Sequence, residues 1–258
     1  MSFTERLSDE IDRKDGVVCV GLDPIPERIP EGVGTREFLH GIVDATGDVA
    51  TAFKPNAAFF EALDAWDLLL DVCATAQAHA PVILDAKRAD VGHSSARYAE
   101  LLDHADAITV NPYLGEDSLR PFLDRTDKGV FVLCRTSNPG AADFQALESN
   151  GLPLYGHVAR RVAMWDDDGD AGLVVGATAP EELEEVRGYA DDLPFLVPGI
   201  GAQGGDAEAA VEHGLNVDGV GLVNSTRSII YARDDAEGYA DAAREAAKKL
   251  RRRLNAFR

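Results

Sequence analysis

The sequence predicts an α/β fold, a (β/α)8 TIM barrel that forms a single domain, and three observations support this prediction. Eight short apolar segments alternate with longer segments in which apolar residues recur every three or four positions. Strands that alternate with helices in this way are parallel and are joined by crossovers. The chain has 258 residues, a usual length for one closed barrel. The pattern alone does not exclude an open, doubly wound sheet.

The eight predicted strands are short runs rich in valine, isoleucine, leucine and phenylalanine. In order, they span residues 17–22, 49–53, 81–85, 107–110, 130–134, 173–175, 195–197 and 219–223. Polar or charged residues follow several of them directly, as Asp23 follows the first strand and Lys54 the second. Functional groups in parallel α/β folds lie at the carboxyl ends of the strands, so we expect an active site at one rim of the barrel.

The predicted helices cover the outside of the barrel. They span residues 4–14, 37–45, 58–78, 94–103, 117–123, 154–165, 180–189, 206–213 and 237–254. Helix 4–14 is expected to cover the barrel floor, and segment 58–78 is expected to form one long amphipathic helix. The longest loop, 138–151, contains proline and glycine and is predicted to be an active-site loop. A tolerated insertion without a function explains it equally well.

The charge of the chain excludes two classes of partner. It carries 45 acidic and 25 basic residues, a formal net charge of -20, so we expect no nucleic-acid partner and no membrane partner. Only six basic residues are lysines, at positions 14, 54, 87, 128, 248 and 249. This excess of carboxylates over lysines resembles the proteins of extreme halophiles, whose acidic surfaces are screened by concentrated salt.

Cysteine and histidine usage bears on the compartment and on metal content. Cys19, Cys73 and Cys134 show no paired spacing and are expected to be reduced, which favours a cytoplasmic protein. No apolar run approaches the roughly 20 residues of a membrane span, and the segment after Met1 lacks the apolar core of a signal peptide. The six histidines lack metal-ligand spacing, so we expect no required metal.

The end of the third strand carries the most informative charges. Asp85 and Lys87 follow an apolar run, and regular strand alternation would place both on one face, about 6 to 7 Å apart. An isolated D-x-K pair is most often a solvated surface ion pair. With Asp23 and Lys54 at two other strand ends, the position instead favours a charged network for proton transfer. A structural ring of ion pairs that closes the barrel top is the alternative.

A glycine-rich segment, 198–206, follows the seventh strand and opens a helix, and its part 199–205 is predicted to be an active-site loop. Glycines let backbone N–H groups approach an oxyanion, and a helix terminus adds partial positive charge. Together with residues 224–227 after the eighth strand, the segment predicts a phosphate site. Its G-x-G-x-x-G match to a dinucleotide fingerprint is weak, because it comes late in the chain. Ordinary glycine turns are a third interpretation.

From about residue 3 to residue 250, the chain resembles the orotidine 5′-monophosphate decarboxylase family, in its longer bacterial and archaeal subgroup. The residues that carry the resemblance are Gly21-Leu22-Asp23-Pro24, Phe53-Lys54-Pro55-Asn56, residues 85–92 (D-A-K-R-A-D-V-G), residues 134–139 (C-R-T-S-N-P) and residues 198–205 (P-G-I-G-A-Q-G-G). The combination of D-x-K-x-x-D with the glycine loop is specific. Ala89 and His93 depart from the common pattern, which affects only local loop geometry.

The resemblance implies decarboxylation of orotidine 5′-monophosphate to uridine 5′-monophosphate in pyrimidine biosynthesis, without a cofactor. It implies that Asp85 is the catalytic acid and that Lys87 is the proton donor, with Lys54 beside them. It also implies a homodimer in which Asp90 acts across the interface.

The resemblance further implies a set of substrate contacts. They are Asp23, Asn56, Ser94, Thr136, Ser137, Pro198, Gly199, Gly201, Gln203 and Arg227. Ser94 would lie near the ribose, and either Ser137 or Thr136 would read the pyrimidine. Gln203 and Arg227 would bind the phosphate.

Two other functions remain open. A sugar-phosphate decarboxylase or aldolase of the same superfamily keeps the D-x-K-x-x-D strand but acts on an enediolate, often with Mg²⁺. A non-catalytic barrel that binds phosphorylated metabolites is the other alternative, although it would not need Lys87 beside two acids.

Overall fold

The computed structural model describes residues 1–167, 169–178, 180–200 and 205–258. Its strands, numbered in chain order, are β1 (Val18–Leu22), β2 (Ala52–Pro55), β3 (Ile83–Arg88), β4 (Ala107–Val110), β5 (Gly129–Arg135), β6 (Glu148–Ser149), β7 (Leu152–Pro153), β8 (Ala171–Val175), β9 (Phe195–Pro198) and β10 (Leu222–Ser225). Eight strands form one sheet in the order β2-β1-β10-β9-β8-β5-β4-β3, and β6 and β7 form a separate hairpin. Bridges from Phe53 to Val82 and from Asn56 to Asp85 join the outer strands β2 and β3. The sheet is therefore a nearly closed (β/α)8 barrel, which confirms the predicted fold class.

The helices are α1 (Phe3–Lys14), α2 (Thr35–Thr46), α3 (Ala57–Ala62), α4 (Trp66–Gln77), α5 (Gly92–Ala99), α6 (Glu116–Leu123), α7 (Leu154–Trp165), α8 (Pro180–Tyr189), α9 (Ala207–Glu212), α10 (Arg227–Ile230) and α11 (Tyr239–Asn255). Most helices lie between barrel strands, whereas α1 precedes β1 and both α10 and α11 follow β10. The prediction of one helix over 58–78 is wrong, because this segment forms both α3 and α4. Asp64, between them, has a φ of 50°, a left-handed conformation that interrupts a right-handed helix.

Helix α1 lies at the end of the barrel where the strands begin. Its N-cap residue Ser2 forms a capping box with Glu5. Phe3 is fully buried and packs edge-on against Phe131, with ring centroids 6.0 Å apart. A Cβ on Gly129, the first residue of β5, would lie 2.4 Å from the Phe3 ring, so the close approach of α1 requires glycine there. The opposite end of the barrel, where the strands end, is left for the functional groups.

Several strands end later than the sequence pattern predicts. Strand β2 extends to Pro55, β3 extends to Arg88 and β10 covers Leu222–Ser225 instead of 219–223. Lys54 and Lys87 therefore lie within strands and not after them. The apolar pattern ends before the strands do, because the last residues of these strands lie at the rim of the barrel and are polar.

Segment 138–151 has more regular structure than the predicted loop. Residues Pro139–Asp143 form a 3₁₀ helix, and β6 pairs with β7 in an antiparallel hairpin. Asn150 and Gly151, which connect β6 to β7, have φ values of 54° and 73°, as expected for a tight hairpin turn. A role as an active-site cover stays a prediction. Within the described ranges, no helix has both the length and the apolar character that a membrane crossing requires.

Candidate active site

The centre of the candidate site is the carboxylate of Asp85 on β3, a residue that is only 8% exposed. Lys54 Nζ lies 2.7 Å from its Oδ2, and Lys87 Nζ lies 2.5 Å from its Oδ1. The hydroxyl of Thr109 on β4 donates a further hydrogen bond to Oδ1, at 2.9 Å. Opposite charges in direct contact offset the cost of burying the carboxylate. The structure therefore brings Lys54, Asp85 and Lys87 into one network.

Burial and charge act in opposite directions on the pKa values of this network. Burial alone raises the pKa of Asp85, but Lys54 and Lys87 outweigh it and hold the pKa well below its usual range. Burial alone lowers the pKa of Lys54, but Asp85 and Asp23 outweigh it and raise the pKa above its ordinary value. Asp85 and Lys54 are therefore both ionised at neutral pH.

Asp23, after β1, differs from the other charges of the rim. Its burial raises the pKa of the carboxyl above the ordinary value, and the attraction of Lys54 does not fully offset this effect. Its Oδ1 is buried and has no hydrogen-bond partner among the described residues. A buried acceptor without a partner destabilises the protein, so a hydroxyl donor on a ligand would satisfy this oxygen.

The side chains of Asp85 and Lys87 come into contact through a backbone conformation that the sequence does not predict. Leu84 pairs with Ile108 of β4 and Arg88 pairs with Val110. Four residue steps along β3 thus match only two steps along β4, so β3 bulges between these pairs. Lys87 itself has a φ of 50°, in the left-handed region. The predicted regular strand alternation is therefore wrong at this point, although the two side chains do lie together.

Lys54 and Asp85 of this network line a cavity of about 180 Å³ at the rim where the strands end, whereas Lys87 contacts Asp85 but is not among the lining residues. The cavity lining combines charged, hydroxyl and backbone groups. It consists of Asp23, Lys54, Asn56, Asp85, Ser137, Pro198, Gly199, Ile200, Asn224, Ser225, Thr226, Arg227 and Ser228. The cavity thus connects the charged network to the residues that follow the seventh and eighth barrel strands, β9 and β10.

The wall of the cavity opposite β3 is formed by β9, β10 and α10. Gly199 has a φ of 109°, a conformation that favours glycine. Ser225 Oγ donates to the Ile200 carbonyl at 3.1 Å and lies 2.6 Å from Ser228 Oγ. Arg227 follows directly and begins α10. Hydroxyl groups and a guanidinium are donors that suit an anionic group such as phosphate.

The predicted loop 199–205 is described only at its two ends. Gly201 and Gln203 lie outside the described residues. The Gly205 N–H donates to the Gly199 carbonyl at 3.1 Å, so the two ends of the loop are joined. A Cβ on Gly205 would lie 2.8 Å from the same carbonyl oxygen, which explains the glycine at this position.

Other predicted contacts lie at different places. Ser137 lines the cavity, whereas the Thr136 hydroxyl donates a hydrogen bond within the loop that follows β5. Ser94 is exposed on α5. The Asp90 carboxylate accepts a hydrogen bond from the neighbouring Val91 N–H, at 2.7 Å. Thr136, Ser94 and Asp90 are therefore not part of the cavity lining that a single chain provides.

Sequence reasoning missed two residues of the site, Thr109 and Ser228. Thr109 is a polar residue in the otherwise apolar strand β4 and is 1% exposed. A buried polar residue needs a partner, and that requirement was an available signal. Ser228 adjoins Arg227, but adjacency in the chain does not tell which side chains face a cavity.

Comparisons with known proteins agree with this geometry. Residues 16–242 match the model of the "Orotidine 5'-phosphate decarboxylase / HUMPS family". The chain is 57% identical over 267 residues to an orotidine 5′-phosphate decarboxylase of Halobacterium salinarum and 56% identical over 277 residues to one of Halorubrum lacusprofundi, with 100% of each chain covered. A structure of Leishmania donovani OMP decarboxylase has a TM-score of 0.87 and 40% identity, covering 100% of this chain and 98% of that one. The chain therefore belongs to the orotidine 5′-phosphate decarboxylase family.

Proposed function

We propose that the protein decarboxylates orotidine 5′-monophosphate to uridine 5′-monophosphate, a step of pyrimidine biosynthesis. The observation that carries the proposal is the contact of both Lys54 and Lys87 with one buried carboxylate, Asp85, at the edge of the cavity. A barrel that only binds phosphorylated metabolites does not need such a network. The relatives are named orotidine 5′-phosphate decarboxylase, so the sugar-phosphate alternative is not favoured either.

The chemistry needs stabilisation of a carbanion. Loss of CO2 breaks the bond between C6 of the pyrimidine and the carboxylate carbon, and the electron pair stays on C6. Lys87, placed beside C6, lowers the energy of this carbanion and then transfers a proton from Nζ to C6. Its side chain is 47% exposed, so water can restore the proton. Asp85 stays ionised and raises the energy of the bound substrate carboxylate, and no cofactor takes part.

The remaining cavity residues are assigned to substrate binding. Asp23 and Asn56 line the cavity together with Lys54 and suit the ribose hydroxyls. Ser137, at the end of β5, suits the polar edge of the pyrimidine. The phosphate is assigned to Pro198, Gly199, Gly201, Gln203 and Arg227. Binding energy from a phosphate remote from C6 helps to orient the reacting groups.

We further propose a homodimer in which Asp90 completes the site of the neighbouring subunit. Among the described residues, no ion pair joins Asp90 to Lys87 of the same chain. Val91, next to Asp90, is 60% exposed, a high value for an apolar side chain. A second subunit over this segment would cover Val91. Asp90 of the first subunit would then lie beside Lys87 of the second. The exposed Ser94 would then also lie near the ribose of the neighbouring site.

Mixing of two inactive variants tests the shared site. Lys87→Ala and Asp90→Asn homodimers are each expected to be nearly inactive. After dissociation and random equimolar reassociation, about one quarter of all sites carry neither change, so activity returns. If Asp90 serves its own chain, every site keeps one change, and the absence of any recovery would contradict the proposal.

We also propose a cytoplasmic location. Cys19, Cys73 and Cys134 are free and buried. Burial raises the pKa of Cys19 to about 12, so its thiol stays neutral and unreactive. Free buried thiols are usual in proteins of reducing compartments.

The activity itself is tested by mixing the purified protein with orotidine 5′-monophosphate in chelator and in molar KCl. We expect the absorbance of the orotate ring to disappear with the wild type and to persist with Lys87→Ala. Lys248→Ala is the matched control, because Lys248 pairs with Glu245 on the outer helix α11, and it should keep full activity. No loss of absorbance with the wild type would contradict the proposed function.

A further inference from the structure

Thr109 occupies a distinct position beside the charged network. Opposite the bulge of β3, Leu84 pairs with Ile108 and Arg88 pairs with Val110. Asp85, Ala86 and Lys87 therefore have Thr109 as the single residue of β4 between these two pairs. Thr109 is almost fully buried, and it is not among the residues that line the cavity.

The hydrogen bonds of Thr109 have a defined direction. The backbone N–H of Lys87 donates to Thr109 Oγ1 at 3.0 Å, so this oxygen acts as the acceptor in that bond. The hydroxyl proton is then free to be donated to Asp85 Oδ1, at 2.9 Å. One hydroxyl thus links the Lys87 backbone to the carboxylate that its own side chain contacts.

These two bonds replace the regular strand pairing that the bulge removes. Lys87 has a φ of 50°, which is unfavourable for a residue other than glycine and needs support from its surroundings. A bond from the Lys87 N–H fixes the orientation of the preceding peptide. The orientation of that peptide determines the direction in which the Lys87 side chain leaves the strand.

We propose that Thr109 is a positioning residue whose hydroxyl holds the Lys87 backbone in the bulge and thereby directs the Lys87 ammonium group at Asp85, a residue of the cavity lining. The inference rests on the proposed function of Lys87 as the proton donor. Thr109 itself does not contact the substrate.

Two substitutions separate the hydroxyl from the shape of the side chain. Thr109→Val keeps the volume and removes the hydroxyl, whereas Thr109→Ser keeps the hydroxyl. For Thr109→Val we expect kcat to fall about tenfold to a hundredfold, as for the loss of one hydrogen bond to a charged group, with KM changed by less than about twofold. Thr109→Ser should keep kcat within about threefold of the wild type, because both bonds are retained.

Amide hydrogen exchange provides a second measurement that needs no substrate. The Lys87 amide should exchange faster in Thr109→Val than in the wild type, and at an unchanged rate in Thr109→Ser. The matched control is Thr51→Val, because Thr51 is also buried and donates its hydroxyl to the Gly16 carbonyl near the start of β2. This control should lower the melting temperature without changing kcat or Lys87 exchange.

The outcomes are distinct. Unchanged kcat and unchanged Lys87 exchange in Thr109→Val would overturn the inference. Equal losses in Thr109→Val and Thr109→Ser, in proportion to their melting temperatures, would also overturn it, since packing and not the hydroxyl would then matter. A wild type without decarboxylase activity would instead overturn the proposed function, while exchange at Lys87 would still decide whether Thr109 holds the bulge.

Discussion

The two walls of the cavity are built in different ways. On the β3 wall, charged groups are buried in contact with each other, and Asp85 lies within 2.7 Å of both Lys54 and Lys87. On the wall formed by β9 and β10, neutral hydroxyls bond to one another, and Gly199 places the backbone close to the cavity. The first arrangement maintains fixed charges at the place where we propose that the carbanion forms, and the second offers hydrogen-bond donors to a ligand. The comparison supports the proposal that the chemistry takes place at the β3 wall and that the phosphate binds at the opposite wall.

Asp85→Asn should have the strongest effect, because it removes the carboxylate at the centre of the β3 wall, here called the charged wall. The substitution removes the carboxylate that contacts both Lys54 and Lys87, so buried Lys54 keeps only the weaker attraction of Asp23. We expect the free energy of unfolding to fall by about 3 kcal/mol or more, as when one partner of a buried pair is removed. We expect kcat to fall by at least about a thousandfold, because preorganised charge is lost. Denaturant titration and steady-state turnover measure the two effects.

The control for this substitution is Asp71→Asn, which removes the partner of His40 and Arg36 at the surface. Surface pairs contribute little, so its cost should stay below about 1 kcal/mol. If Asp85→Asn were as mild as Asp71→Asn, the charged wall would have no special role.

Arg227→Ala tests the opposite wall. Loss of a charge-assisted contact to phosphate is worth about 1.5 to 3 kcal/mol, so the KM for the nucleotide should rise roughly tenfold to a hundredfold. Turnover of the phosphate-free nucleoside should change far less. Arg233→Ala, at a residue that pairs with Asp235 beyond α10, is the matched control and should leave both substrates unaffected. Equal damage to nucleotide and nucleoside would remove Arg227 from the phosphate site.

Asp23→Asn tests a second carboxyl group of the charged wall, because burial raises the pKa of Asp23 above its ordinary value. The unfolded carboxyl ionises near pH 3.9, so the cost to folding is absent below about pH 3.9 and grows as the pH rises toward the folded pKa. At pH 7 the variant should therefore be more stable than the wild type, with no gain near pH 3. Its affinity for the nucleotide should fall. A variant that is less stable at pH 7 would show that Asp23 is not strained by its burial.

Each surface carboxylate is expected to change the stability only slightly, but the effect adds up over the whole surface. The net charge of -20 and the similarity to proteins of Halobacterium and Halorubrum indicate an adaptation to salt. Transfer from molar to low KCl should lower the melting temperature by several degrees, because carboxylate repulsion is no longer screened. Sucrose at matched osmolarity should not replace the salt. A melting temperature that is indifferent to KCl would rule out this interpretation.

Much of the fold could be predicted because its signals are local. Alternating apolar and amphipathic segments predicted the barrel, and the charged residues at strand ends predicted the location of the site. The break between α3 and α4 could not be predicted, because the apolar spacing of Phe59, Leu63 and Trp66 continues across it. The positive φ of Asp64 leaves no trace in that spacing.

The detailed geometry of the site depends on contacts between strands and was less accessible. The bulge that brings Lys87 to Asp85 depends on a hydroxyl from Thr109, which lies 22 residues further along the chain than Lys87. The choice of Ser137 over Thr136 as a cavity residue depends on how the loop after β5 turns. Neither feature has a periodic pattern in the sequence.

The division between the two walls is tested most directly by measuring turnover and product affinity for Lys87→Ala in parallel. Turnover of orotidine 5′-monophosphate should fall by at least about a thousandfold, because Lys87 is the proposed proton donor. Calorimetry should show that uridine 5′-monophosphate still binds within about fivefold of the wild-type affinity, because the wall formed by β9 and β10 is unchanged. Turnover within tenfold of the wild type would show that Lys87 is not the proton donor. A loss of product affinity as large as the loss of turnover would show that the two walls do not have separate roles.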